Sequence, residues 1–284
     1  MSKAQVLKAL LESGKLNVTP CCWDALSARL IEQAGFPLAF MSGFGVSAAR
    51  LGQPDAGLIS YAEMVDQARN IASATGIPVI GDGDTGYGNA LNVKRTVKGY
   101  ANAGMACVMI EDQLAPKRCG HTKGKHVVDR DEAFMRIRAA VDAKNEGADI
   151  LILARTDARA EHGLDEAIER ARTFREIGVD MTFVEAPRTV DEMKRYCDEV
   201  DGPKMANMLE GGLTPFLQPA ELQKLGFAIS TYPFTGLMSM IKAQQDALAQ
   251  MNHGIFPDPA MSFEDLQKAV GFDAYYEAEE RYRH

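Results

Sequence analysis

The side chains able to do chemistry fall in a few short strings. Gly81-Asp82-Gly83-Asp84-Thr85-Gly86-Tyr87-Gly88 sets two carboxylates at i and i+2 in a glycine-rich turn. Such a pair can face one hard cation or orient its bound waters; it can equally accept backbone amides in a metal-free turn. Glu111 and Asp112 close a very apolar run and could join the same ion, as could Asp55 in Leu51-Gly52-Gln53-Pro54-Asp55. Mg²⁺ keeps several waters and takes one or two carboxylates directly, which suits this set.

A second string, Lys117-Arg118-Cys119-Gly120-His121, runs into Lys123, Gly124, Lys125 and His126. Cationic neighbours can lower a thiol pKa, so Cys119 reads as a reactive cysteine; the alternative is a solvated basic loop with an incidental thiol. A glycine- and lysine-rich loop also reads as a lid. Arg155, in Ala154-Arg155-Thr156-Asp157, can fork onto a substrate carboxylate or form a salt bridge with Asp157 or Glu185. A hard cation, an anion-binding arginine, an acid thiol and further carboxylates suit chemistry on a 2-oxo or 2-hydroxy acid.

Something must bring these strings together. Eight short apolar runs alternate with helix-period segments: 16–20, 38–42, 78–82, 106–111, 150–155, 181–185, 204–207 and 227–231. Several are continuously apolar, as in parallel strands buried on both faces. Helical segments lie at 61–75, 92–103, 130–146, 164–177, 189–200 and 219–225, each followed closely by a glycine. Ser60 with Glu63 has capping-box spacing. This is βα grammar, and eight units predict a (β/α)₈ TIM-type barrel; an open doubly wound sheet would carry a dinucleotide turn that is missing here. The runs close on Ser42, Asp82, Glu111, Arg155, Glu185, Asn207 and Tyr232, so a barrel would gather these at one rim. Trp23 and Phe44 lie near that mouth by position. The reading is one domain over 1–284, with the barrel at about 15–250 and a helical tail at 251–284 that packs on another subunit or on its own barrel.

Composition narrows the function classes. With 39 Asp and Glu against 31 Lys and Arg, the formal net charge of -8 argues against a nucleic-acid partner. No run of about 18 apolar residues predicts a membrane span. Residues 1–14 read as an amphipathic helix without the apolar core of a signal peptide. Five cysteines, an odd number, predict no disulfide framework and a reducing, cytoplasmic setting.

The same strings, Lys117-Arg118-Cys119-Gly120-His121 and Asp82-Gly83-Asp84-Thr85-Gly86-Tyr87-Gly88, with Ile110-Glu111-Asp112-Gln113 and Ala154-Arg155-Thr156-Asp157, carry a family resemblance. From about Cys22 to about Met240 the chain resembles the isocitrate lyase/phosphoenolpyruvate mutase superfamily. The cysteine loop resembles the carbon–carbon lyase branch; the phosphonate mutases, hydrolases and oxaloacetate decarboxylases lack this Cys. The resemblance implies a barrel whose terminal helix is swapped between subunits of a homotetramer. It implies Mg²⁺ or Mn²⁺ held, partly through water, by Asp55, Asp82, Asp84 and Glu111. Ser42, Gly43 and Phe44 match the cradle for the 2-oxo acid portion, Arg155 the carboxylate-binding arginine and Cys119 the general acid. Gly120 falls with the substrate-binding set, and Glu185, His121 and Asn207 match supporting residues. Glu185-Ala186-Pro187 and Glu210-Gly211-Gly212-Leu213-Thr214-Pro215 look more like the enzymes acting on 2,3-dimethylmalate and other 2-alkylmalates than like methylisocitrate lyases. Phe44, where methylisocitrate lyases commonly have glycine, should narrow the pocket against a tricarboxylate. The implied reaction yields pyruvate or another 2-oxo acid plus a carboxylate. The rival readings are a methylisocitrate lyase giving succinate and pyruvate, a decarboxylase or hydrolase of oxaloacetate or a phosphonate-cleaving enzyme, and a non-catalytic binding protein.

Overall fold

The structure, a computed structural model, describes residues 1–120 and 124–283. Eight strands follow in chain order: β1 (Asn17–Cys22), β2 (Ala39–Met41), β3 (Val79–Asp82), β4 (Cys107–Glu111), β5 (Leu151–Thr156), β6 (Met181–Val184), β7 (Met205–Asn207) and β8 (Ile229–Tyr232). All neighbours are parallel, in the order β6-β5-β4-β3-β2-β1-β8-β7. β6 and β7 meet at a single parallel bridge, Thr182 to Lys204, with Thr182 N donating to Pro203 O at 3.2 Å. The ring is therefore a nearly closed (β/α)₈ barrel, as the eight apolar runs predict.

The barrel is a packed core and not a pore. Leu38, Phe40, Ile80, Cys107, Met109, Leu151, Leu153, Met181, Phe183, Met205 and Ile229 fill it in one buried cluster. Ala4 and Leu7 of the first helix, Lys3–Glu12, belong to the same cluster, with Leu10 and Leu11 packed against it. That amphipathic helix closes the barrel end where the strands begin. Outside the ring, Ala167, Ile168 and Ala171 of the helix Leu164–Ile177 pack with Val184, Tyr196, Ala206 and Phe227.

Local signals explain most boundaries. Ser60 and Glu63 form the expected capping box of Tyr61–Ala74. Gly104, Gly147, Gly178 and Gly226 follow helices with positive φ, whereas Thr75 and Val200 are already extended, so the helices before Gly76 and Gly202 end differently. The stretch 262–280 is broken by Gly271 (φ 95) into Phe263–Val270 and Phe272–Glu280. Ala25–Gln33, Gly43–Val46, the π-turn Ser47–Leu51 and Arg159–His162 are additional helical pieces. The chain forms two compact units, 1–236 and 237–284. No described helix is long and apolar enough to cross a membrane.

Candidate active site

The rim where the strands end carries the polar residues. Ser42 follows β2, Asp82 ends β3, Glu111 ends β4, Arg155 is the penultimate residue of β5, Glu185 follows β6 and Asn207 ends β7. A cavity of ≈ 60 Å³ opens there, lined among others by Ser42, Phe44, Asp55, Asp82, Cys119, Gly120, Arg155, Glu185 and Asn207. The convergence expected from the ends of the runs is real for these residues. Tyr232 and Glu111 are the exceptions: Tyr232 packs its ring on Phe216, with centroids 5.9 Å apart, Glu111 is buried against Arg155, and neither lines the cavity.

One side of the site is acidic. Asp82 does what a turn aspartate does: Oδ1 accepts from Asp84 N at 3.0 Å, and Oδ2 from Gly43 N at 3.2 Å. A Cβ on Gly43 would come within 2.6 Å of that Oδ2, so a glycine is required. Gly43 thus faces Asp82 and does not line the cavity. Ser42 Oγ accepts from Gly45 N at 3.1 Å while the residue itself lines the cavity. Asp84 sits in the left-handed region (φ 48), a conformation costly for a side chain with a Cβ and typical of functional turns. Lys117 enters this side from the cysteine loop, its ammonium 2.6 Å from Asp55 Oδ1 and 2.8 Å from Asp84 Oδ1. Burial pushes the Asp84 carboxyl up to about 6, with Lys117 pulling the other way. Burial also holds Glu111 well above the usual carboxylate range, against the opposing charge of Arg155. Among the described residues, no three His, Cys, Asp or Glu side chains group closely enough to grip an ion on their own.

The other side is built on Arg155. Its Nε and Nη2 donate to the two oxygens of Asp157 at 2.8 and 3.0 Å, and Nη2 lies 3.1 Å from Glu185 Oε2. Nε is 3.4 Å from Glu111 Oε2. The salt bridges to Asp157 and Glu185 and a place at the cavity are therefore compatible. Phe183 lies under the guanidinium, 5.3 Å from Cζ to the ring centroid. Burial works against the Asp157 carboxylate, but Arg155 and Lys125 outweigh it and hold that group below its ordinary pKa. Glu185 accepts from Ala186 N at 2.9 Å and from Asn207 Nδ2 at 3.5 Å.

Cys119 is half-buried and lines the cavity; the other four thiols pack elsewhere, although Cys21 also touches its floor. Its loop is docked. Gln113 clasps Arg118 twice, Nε2 to Arg118 O and Oε1 from Arg118 N, both at 2.9 Å. Gly120 sits so close to the site that a Cβ would lie 2.4 Å from Arg155 Nη2 and 2.6 Å from Glu185 Oε2. His121 and Lys123 lie outside the described residues.

Asp112 too lies elsewhere than its place in the sequence suggests, and other residues of the site gave no signal. Asp112 does not join the acidic side: Oδ1 accepts from Asp157 N at 2.9 Å, and Oδ2 from Thr156 Oγ1 at 2.6 Å and Arg170 Nη1 at 3.0 Å. It supports the end of β5. Arg170 had no signal, since Glu166 four residues before it reads as an ordinary exposed helix pair. Phe234, whose ring centroid is 4.6 Å from that of Phe44, was equally silent. Trp23 packs against Gly45 and does not line the cavity.

Fold and site together define a (β/α)₈-barrel protein with a small polar cavity at the strand-end rim, lined by Arg155 and Cys119. The sequence profile of the family described as phosphoenolpyruvate phosphomutase matches residues 7–252, and the chain belongs to that family, within the PEP mutase/isocitrate lyase superfamily. It is 42% identical to 2,3-dimethylmalate lyase of Eubacterium barkeri, over 99% of each chain. It is 39% identical to 2-methylisocitrate lyase of Halalkalibacterium halodurans, over 85% of this chain and 79% of that one. In three dimensions it is similar to oxaloacetate acetylhydrolase bound to 3,3-difluorooxalacetate, with a TM-score of 0.95 and 36% identity over 98% of this chain and 96% of the other.

Proposed function

We propose that this protein is a divalent-cation-dependent carbon–carbon lyase acting on a 2-hydroxy dicarboxylate of the 2-alkylmalate type, such as 2,3-dimethylmalate. One observation carries the reading: the Cys119 thiol and the Arg155 guanidinium line the same small cavity, with Gly120 seated directly on the arginine. The acidic side fits a cation. Lys117 pairs with Asp55 and Asp84, and Arg155 faces Glu111, so four carboxylates, Asp55, Asp82, Asp84 and Glu111, stand against two cations, and Glu111 Oε1 is buried without a hydrogen-bond partner among the described residues. Buried charge of one sign in such excess calls for a counter-ion or protons. These four residues would hold Mg²⁺ or Mn²⁺, partly through water. When bound, such an ion stabilises negative charge developing on the substrate's C2 oxygen.

The chain's own groups do the rest. Arg155, its plane fixed by Asp157 and Glu185, binds and orients a substrate carboxylate. The Ser42 hydroxyl holds the end that becomes the 2-oxo acid. The docked cysteine loop keeps water out. The 2-hydroxyl loses its proton to a base, its oxygen becomes a ketone, and the C2–C3 bond breaks. The bonding electrons pass to C3 and spread into the distal carboxylate. Cys119 Sγ then gives its proton to C3, and the proton taken from the hydroxyl balances the one the thiol lost. From 2,3-dimethylmalate the products are pyruvate and propionate. Phe44 and Phe234 narrow the cavity with an apolar wall suited to small alkyl groups.

The likeness to oxaloacetate acetylhydrolase supports a second reading, in which water cleaves oxaloacetate to oxalate and acetate. A product screen with Mg²⁺ over 2,3-dimethylmalate, 2-methylisocitrate and oxaloacetate separates them. Pyruvate with propionate from the first substrate is the expected result. Faster release of succinate and pyruvate from the second, or of oxalate from the third, would replace the assignment. The odd number of cysteines, five, suits a reducing cytoplasmic setting. Exposed Phe256, Phe263 and Tyr275 in the 237–284 unit support exchange of the tail between subunits of a homotetramer, which light scattering tests by mass.

A further inference from the structure

Lys125 is a buried cation that the reaction above does not use. Its side chain is only 5% exposed, although it lies in a loop of exposed neighbours. Its Nζ donates to Gly120 O and to Asp157 Oδ1, the latter at 2.8 Å. The first acceptor is the carbonyl of the residue next to Cys119. The second belongs to the carboxylate that holds Arg155 by two hydrogen bonds. Asp157 itself is fixed, because its backbone N–H is taken by Asp112, which Arg170 and Thr156 hold in turn.

An ammonium is buried only when its acceptors are in place. Lys125 completes its shell only if Gly120 is seated on Arg155 and Glu185. The lysine therefore bridges the cysteine segment and the anion-binding arginine. Charge gives the bridge a direction. Asp157, Glu185 and Glu111 already offset the charge of Arg155, so a substrate carboxylate arriving at Arg155 adds negative charge beside Lys125. That charge favours the buried ammonium, and by linkage the buried ammonium favours the anion.

We propose that Lys125 is a positioning residue that ties the Cys119–Gly120 segment to Arg155 through Asp157, so that anion binding and seating of the thiol reinforce one another. The proposal rests on the reading of Cys119 as the acid and of Arg155 as the substrate arginine.

The test measures alkylation of Cys119 by iodoacetamide in the full chain, read at that cysteine by peptide mass, with pyruvate and Mg²⁺ as the probe. Lys125→Met should react ~10-fold faster than the parent without ligand, because local opening becomes easier. Pyruvate should slow the parent further and leave the Met variant nearly unprotected. Lys125→Arg, which keeps the charge and two donors, should recover the parent rate to within ~3-fold. In turnover, kcat of the Met variant should fall by ~10²-fold, as for a misplaced reacting group, with a smaller change in KM. If the Met variant melts below the assay temperature, Lys125→Gln is read in its place. A Met or Gln variant alkylated at the parent rate overturns the tether, and a parent that pyruvate does not protect overturns the coupling. Alkylation needs no turnover, so a failed tether and a failed lyase assignment give different results.

Discussion

Gly120 shows how little freedom the site leaves to single residues. Its Cα hydrogen occupies the space where a methyl would strike both Arg155 and Glu185. We expect Gly120→Ala to lower kcat by ~10²-fold while the melting temperature moves little, because the loop lies outside the packed barrel. Phe44 poses the opposite question, of too little room. Phe44→Gly should open the wall it forms with Phe234 and raise kcat/KM for 2-methylisocitrate relative to 2,3-dimethylmalate by ~10-fold, the usual worth of pocket space. Competitive turnover of the two substrates measures it. At this scale residue types were legible, and so were the Arg155 partners Asp157 and Glu185, but other partners were not. Glu111 and Asp112 are adjacent carboxylates in the sequence, yet side chains one apart in an extended chain point to opposite sides. Only Glu111 reaches Arg155, and Asp112 turns to Thr156, Asp157 and Arg170.

Elements place those residues, and β5 has the most depending on it. Its end carries Arg155, and its register against β4 sets Glu111 beside Arg155. The helix Leu164–Ile177 supports it from outside: Arg170 donates to Asp112 Oδ2 at 3.0 Å and to Val128 O at 2.9 Å. Arg170→Ala would leave a buried carboxylate without its cation. Such losses cost ~3–5 kcal/mol, so the urea midpoint should fall steeply, and turnover should fall as well because Asp112 fixes Asp157 behind Arg155. The strand order, the caps and the alternation of βα units were readable because buried parallel strands are apolar throughout and glycines punctuate the helices. Ala25–Gln33 was less legible. It is nine residues long, and Leu26 and Leu30 on its surface are 47% and 46% exposed, which blurs its apolar face.

At the scale of the barrel unit, the two ends of the ring do different work. The strand-end rim holds charge; the opposite end is closed by the first helix. Leu7 there is fully buried in the barrel cluster. Leu7→Ala should cost ~2–5 kcal/mol by urea unfolding and leave KM unchanged, because the cavity it creates lies far from the rim. Outside the ring, Glu166 joins two helices by accepting from Arg130 and Arg170. The hydrogen bond from Arg130, followed by that from Arg170, lowers its pKa to about 2, against ~4.3 for an unfolded glutamate. The folded protein thus binds this proton less readily than the unfolded chain does. Its stabilising contribution is complete above the unfolded value and is lost as pH falls through the folded one. Glu166→Gln should therefore lower the urea midpoint at pH 6. The gap to the parent should narrow between pH ~4.3 and ~2 and close below that. A gap that stays constant down to pH 2 would mean that Glu166 acts through packing and not through its charge.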